Sequence, residues 1–251
     1  MQLIDEIIRK SGEPDLLAVE ADKAGRALEI GWDSGLFSVP KVIGFDAEAG
    51  ALEFERLSDL VTLLDLAVRK DQRLSGLLKK AGQALAVVHE KLTLPGELKH
   101  ELPTEWMAPA GENVFIHGDF ACINVCFHEP SGELVLLDWS AAPSVGRTPT
   151  FGSRYFDILM FVSSLFHGAP WREALSWNAR EMADAFLKGY GEIIPLNELK
   201  NYSSQICRLQ RKNIRLFAAR RQPLRDVGFI CHQMLMNVRL RLFLNGYRQE
   251  F

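Results

Sequence analysis

The sequence predicts an α+β chain in which a small mixed part, residues 1–57, precedes a larger, mainly helical part, residues 58–251. Two patterns carry that expectation. Apolar residues recur at helical spacing through most of the chain after Tyr155, whereas short apolar runs bounded by turn residues fall in the first sixty residues and again near the middle. A third observation bears on chemistry. The stretches "VFIHGDFACINVCF" (Val114–Phe127) and "ELVLLDWS" (Glu133–Ser140) place His117, Asp119, Asn124 and Asp138 where apolar strands stop.

Taken in order, "IDEIIRKS" reads as a short strand, broken by Gly12 and Pro14. "LLAVEADKAGRALEIG" follows with apolar residues at Leu16, Leu17, Val19, Ala24, Ala27, Leu28 and Ile30, closer to a helix than to alternation. "VPKVIGF" and "ALEFERL" form a hairpin around the turn "DAEAG". "LSDLVTLLDLAVRK" and "RLSGLLKKAGQALAVVHEKL" read as helices, and "LTLPGELKHELPTEW" as a loop. The two polar-ended strands then flank the turn "HEPSGE". "AAPSVGRTPTFGS" reads as irregular loop. Helices follow in "RYFDILMFVSSLF", "WREALSWNAREMADAFLKGYGEI", "LNELKNYSSQICRLQRKNIRLFAARR" and "VGFICHQMLMNVRLRLFLNGY".

Composition is that of a globular protein, 47% hydrophobic and 24% charged over 251 residues, enough to bury a sizeable core. No apolar run reaches the length of a bilayer span. The start "MQLIDEIIRK" carries acids where a secretion signal carries bases, and the four cysteines (Cys122, Cys126, Cys207, Cys231) form no CxxC pair. A cytoplasmic protein with reduced thiols is expected. Net charge is −3 but uneven. From Lys200 onward, eleven Lys/Arg face two acids, Asp226 and Glu250, a net +9 against −12 before it. Such a surface suits anions, nucleic acid or membrane headgroups, or it pairs with an acidic face of the other lobe or is simply solvated.

The run H-G-D-F-A-C-I-N, followed fourteen residues after Asn124 by the aspartate of L-L-D-W, resembles the catalytic core of the aminoglycoside phosphotransferase family. That family includes choline and homoserine kinases and shares its fold with protein kinases. The resemblance takes in "SVPKVIGFDAEAGALEFERLSD", the helix "LLKKAGQALAVVHEKL" with His89, and "GSRYFDILMF" with Asp157, and so covers residues 15–170. It implies a protein-kinase-like two-lobed fold, with a reduced mixed N-lobe and a large, mainly helical C-lobe, using ATP and Mg²⁺. Asp119 is then the catalytic residue, Asn124 and Asp138 the metal ligands, and His117 and Asp157 structural supports of the loop.

The residue types suit that chemistry independently. Phosphoryl transfer requires a carboxylate near the attacking hydroxyl and cations on the phosphates. Carboxylate and amide oxygens are hard ligands of the kind Mg²⁺ takes. Taken singly, an aspartate at a strand end is a turn former, and Asp157 is an ordinary polar residue of a first helical turn. His117 and Asp119 also admit a metal-dependent hydrolase, although His100, His128, His167 and His232 are scattered.

The front of the chain departs from the family. No glycine-rich loop precedes the first helix, Gly12 stands alone, and the first two strands of a nucleotide lobe are expected to be missing. Lys10 is the best candidate for the lysine that contacts the phosphates, with Glu20 as its helix partner. Arg9 and Lys23 are rivals for the lysine, and Glu29 for the glutamate. In another register "LLAVE" is the lysine strand, with Glu20 where the lysine belongs.

The expected function is an ATP-dependent phosphotransferase acting on a hydroxyl of a small molecule. The alternative is a catalytically impaired pseudokinase acting as a binding or regulatory protein. Arg208, Arg211, Lys212 and Arg215 share one helix face by their spacing, and if that face meets the cleft the acceptor is anionic. No nucleic-acid partner is expected. Peripheral membrane contact through the basic C-terminus stays open, as does oligomeric state.

Overall fold

A computed structural model describes residues 7–109, 111–141, 145, 149–218 and 223–247. Strand β1 (Ile7–Ser11) leads into helix α1 (Pro14–Ser34), whose start is fixed by a proline in its first turn. A hairpin of β2 (Val42–Asp46) and β3 (Ala51–Glu55) follows. The three strands form an antiparallel sheet in the order β1-β3-β2, with Lys10 opposite Leu52 and Phe45 opposite the same residue from the other side.

Beyond this sheet come β4 (Leu60–Thr62), α2 (Leu63–Arg69) and α3 (Leu74–Lys91). Then follow β5 (Asn113–Phe115), β6 (Val125–His128), β7 (Glu133–Leu136) and β8 (Phe151–Ser153). Strands β4, β6 and β7 make a second antiparallel sheet in that order, and β5 pairs with β8. Helices α4 (Tyr155–His167), α5 (Ala179–Gly191), α6 (Ser203–Ala218) and α7 (Pro223–Gly246) complete the chain. The fold is α+β, with its sheets at the front and a large helical body behind.

Three sequence expectations need correction. The helix expected over "LSDLVTLLDLAVRK" begins as a strand: Leu60–Thr62 pairs with His128–Cys126. Thr62 then caps α2, its hydroxyl accepting from the Asp65 N–H at 3.0 Å and donating to the Asp65 carboxylate at 2.7 Å. The loop before Tyr155 contains β8, because Val114 finds a partner at Gly152. The helix expected from Trp171 starts only at Ala179. The segment before it makes one tight turn (Trp171–Glu173), and the Trp177 indole donates to the Leu165 carbonyl at 2.7 Å.

The core is centred on α4, where Ile158, Leu159, Phe161, Val162 and Leu165 are fully buried. Helices α3 and α5 pack closely enough that a Cβ on Gly82 would stand 2.1 Å from the Phe186 carbonyl oxygen. One on Gly189 would stand 1.9 Å from that of Lys79, so both positions exclude any side chain. Ser38, after α1, exchanges backbone hydrogen bonds with Leu134 and Leu136 of β7. That bridge ties the segment between α1 and β2 to the second sheet.

Candidate active site

The loop from Ile116 to Asn124 joins β5 to β6 and is held from below. Asp157, in the first turn of α4 and fully buried, accepts the N–H of His117 at 2.6 Å and of Gly118 at 2.9 Å. The His89 Nε2 lies 3.0 Å from the same carboxylate, and its Nδ1 is 2.9 Å from the Tyr190 hydroxyl. Burial alone would raise the Asp157 carboxyl, but His89 and the Gly118 N–H outweigh it and hold the carboxyl below its usual range. Gly118 adopts φ +95°, and a Cβ there would press on Ala141 at 3.2 Å, so the turn requires glycine.

His117 supports the loop from inside. Its ring is buried 4.3 Å from that of Trp139, and its Nδ1 accepts the Asp119 N–H at 3.3 Å. Burial drives its pKa down to about 3, so the ring is neutral and acts as an acceptor rather than a charge.

Asp119, Asn124 and Asp138 meet where β6 and β7 run side by side. The Asn124 side-chain amide donates to the Asp119 carbonyl at 2.9 Å and to its Oδ2 at 3.2 Å. The Leu137 N–H donates to the Asn124 carbonyl at 2.8 Å, locking the loop end to the end of β7. Asp138 follows in the left-handed region at φ +58°, an outlier for a non-glycine residue of the kind that gathers at functional sites. Burial, followed by the charge of Asp138, pushes the Asp119 carboxyl up to about 6.

Lys10 reaches this junction from β1. Its Nζ donates to Glu20 Oε1 at 2.5 Å and to Asp138 Oδ1 at 2.8 Å, and the Ser140 hydroxyl adds a bond to the same Asp138 oxygen at 2.7 Å. Burial works against the Lys10 charge, yet the two carboxylates prevail and raise its pKa. Burial likewise opposes ionisation of Asp138, and the Lys10 and Ser140 donors more than offset it, leaving the carboxyl below its ordinary value. Burial lifts the Glu20 carboxyl, with Lys10 countering in part.

Strand alternation separates the rivals. Lys10 faces the cleft, whereas Arg9 points to the opposite face of the sheet and pairs with Glu53 at 3.8 Å. Glu29 is exposed. Lys23, one turn beyond Glu20 on the inner face of α1, is fully buried and donates to the His117 carbonyl. Burial lowers its pKa to about 8. The register that made "LLAVE" a strand is excluded, since those residues are helical.

Beside the junction lies a cavity of about 270 Å³, with Ile8, Val39, Phe54 and Leu136 as apolar walls and Lys10, Asn124 and Asp138 at its polar end. Hollows of 370 and 1310 Å³ elsewhere on the surface contain none of the predicted site residues. Between β1 and α1 the chain carries one glycine, Gly12, and no glycine-rich loop, and among the described residues no group of three or more His, Cys, Asp or Glu is placed to hold a metal unaided. Arg208, Arg211, Lys212 and Arg215 are exposed on α6 and do not line the cavity; Arg220, Arg221 and Arg248 lie outside the described residues. The support given by Lys23 and Ser140 was not anticipated. The position of Lys23 within the apolar stripe of α1 was the available signal for the first of them.

No protein-family model matches the chain, and no curated protein matches it significantly. Solved structures do. A glucosamine kinase bound to glucosamine, ADP and inorganic phosphate aligns at 13% identity and a TM-score of 0.61, over 95% of this chain and 76% of that one. A choline/ethanolamine kinase family protein from Mesorhizobium loti aligns at 13% identity and 0.53, over 96% and 87%. A choline kinase from Streptococcus pneumoniae aligns at 15% identity and 0.52, over 98% and 89%. All are small-molecule kinases, and the shared feature is the fold: the chain has the protein-kinase-like architecture, with a reduced mixed front lobe and a large helical lobe. No helix among the described residues is long and apolar enough to cross a membrane.

Proposed function

We propose that the chain is an ATP-dependent phosphotransferase that phosphorylates a hydroxyl group of a small-molecule acceptor in the cytoplasm. Residues 1–57 are its nucleotide-side lobe and residues 58–251 its catalytic and acceptor lobe. The observation that carries the reading is the convergence of Lys10, Glu20 and Asp138 beside the Asp119–Asn124 pair, at the polar end of an otherwise apolar cavity.

The donor set suits Mg²⁺. The described donors on Asp138 fall on Oδ1, so its Oδ2 would be the oxygen to hold the cation, and the Asn124 amide nitrogen is engaged by Asp119, so its oxygen would be the second ligand. Mg²⁺, when bound there, neutralises phosphate oxygens during transfer. Lys10 adds a fixed positive charge, with Glu20 holding the ammonium in place. Asp119 orients the acceptor hydroxyl and takes its proton on Oδ1, the oxygen that Asn124 does not use. Asp157, His117 and Lys23 hold the loop backbone so that Asp119 needs little reorganisation. Ile8, Val39 and Phe54 offer an apolar surface for the flat base of the nucleotide.

A second reading, a binding protein that turns over slowly or not at all, is favoured by one observation: between β1 and α1 the chain carries a single glycine, Gly12, and no glycine-rich loop. Calorimetric titration with MgATP, with amino alcohols and amino sugars as trial acceptors, tests both. Binding that weakens sharply in Asp138→Asn, together with acceptor-dependent ADP release, supports the enzyme. Binding without turnover supports the second reading, and no binding overturns both.

A further inference from the structure

We propose that the outer face of α7 is a self-association surface, on which a second copy of this chain docks its own α7 antiparallel to the first. The inner face of this helix is buried through Met236, Leu240, Phe243 and Leu244. The outer face is apolar as well: Val227 (66% exposed), Cys231, Met234 (41%), Leu235 (38%), Val238 (53%) and Leu242 (67%) form one stripe, and among the described residues nothing covers it. An apolar stripe of this length on a second face of a helix is ordinarily covered by a partner. Its neighbour α6 shows the usual solvent solution, with Arg208, Arg211 and Arg215 exposed on its outer face.

The occupant follows from register and area. A two-fold axis between Met234 and Leu235 sets Val227 against Leu242 of the second copy, Cys231 against Val238, and Met234 against Leu235. Each apolar position thus meets an apolar one, as an isologous interface requires. The exposed charge within the described stripe, Arg241, falls opposite Gly228, where no side chain obstructs it and no like charge meets it. The stripe exposes on the order of 500 Å² per chain, so two copies would bury on the order of 1,000 Å², where specific interfaces begin. Trp171 (62% exposed), whose ring lies 5.5 Å from that of His232, extends the apolar surface at one end of the stripe.

Sedimentation equilibrium of the full chain tests this. The expected mass at micromolar concentrations is twice the 28.3 kDa of one chain. Leu235→Glu, at an exposed position that leaves the helical circular dichroism unchanged, is expected to weaken the dimer by about tenfold or more. Met234→Lys is expected to do the same, and mixing the two variants to restore a dimer, because position 235 of one copy faces position 234 of the other. A wild-type chain that stays monomeric, a dimer indifferent to Leu235→Glu, or a mixture that fails to reassociate overturns the proposal. A monomer that sediments with phosphatidylserine vesicles overturns it in favour of a lipid surface.

Discussion

The Lys10 ammonium bridges two carboxylates from opposite sides of the cleft, Glu20 Oε1 at 2.5 Å on α1 and Asp138 Oδ1 at 2.8 Å at the end of β7. One strand residue thereby ties the front helix to the edge of the second sheet. A lysine with such partners keeps its charge despite burial, and in the proposed function that charge meets the nucleotide phosphates. Lys10→Met is expected to lower kcat/KM for ATP about a hundredfold, the loss typical when one preorganised charge-stabilising donor is removed. Steady-state kinetics checks this, with circular dichroism to establish that the fold persists.

In the proposed mechanism Asp119 sets the pH dependence. Burial and the nearby Asp138 charge push its carboxyl up to about 6. A proton acceptor must be ionised, so the active form is lost as pH falls through that value. The profile of kcat/KM is expected to show an acidic limb near pH 6, well above the ordinary carboxylate range, and the limb should vanish from the residual activity of Asp119→Asn.

Asp157 is expected to be the costliest site residue to remove. Its carboxylate satisfies two backbone N–H groups and faces His89, all buried. Asp157→Ala strands those partners, and its penalty should be about 3–5 kcal/mol, as for a broken buried pair. Urea denaturation measures it directly.

Lys23 works in the opposite direction on stability. Burial lowers its ammonium from 10.5 to about 8, so between those values the unfolded chain holds a proton that the folded chain has released. Stability from this group therefore rises with pH across that window, while below about pH 8 the folded chain carries the full penalty of a buried charge. The unfolding free energy of the wild type relative to Lys23→Met is expected to climb by on the order of 2–3 kcal/mol between pH 8 and pH 10. The same variant frees the His117 carbonyl, so it is expected to lose activity even where it gains stability.

The sequence was most legible where pattern and chemistry coincide. Helical spacing located α3 and α4, and the polar residues closing two apolar strands pointed to a junction at which Asp119, Asn124 and Asp138 do meet. The pairing of Lys10 with Glu20 could be named but not chosen over Arg9, Lys23 and Glu29, because the choice depends on which face of β1 turns inward, and five residues carry too little alternation to decide it. Strands β4 and β8 were missed because three-residue strands leave no periodic trace and exist only through their partners, β6 and β5. Nor could spacing reveal that Lys23 would bond a loop carbonyl 94 residues away.

The most direct test is turnover of MgATP by the wild-type chain and by Asp119→Ala, measured as ADP released in the presence of amino alcohols, amino sugars and other small hydroxyl compounds. Acceptor-dependent release by the wild type is expected. The variant should lose it by several orders of magnitude while still binding MgATP, because Lys10 and Asp138 remain in place. Equal turnover by the two chains would contradict the assignment of the site.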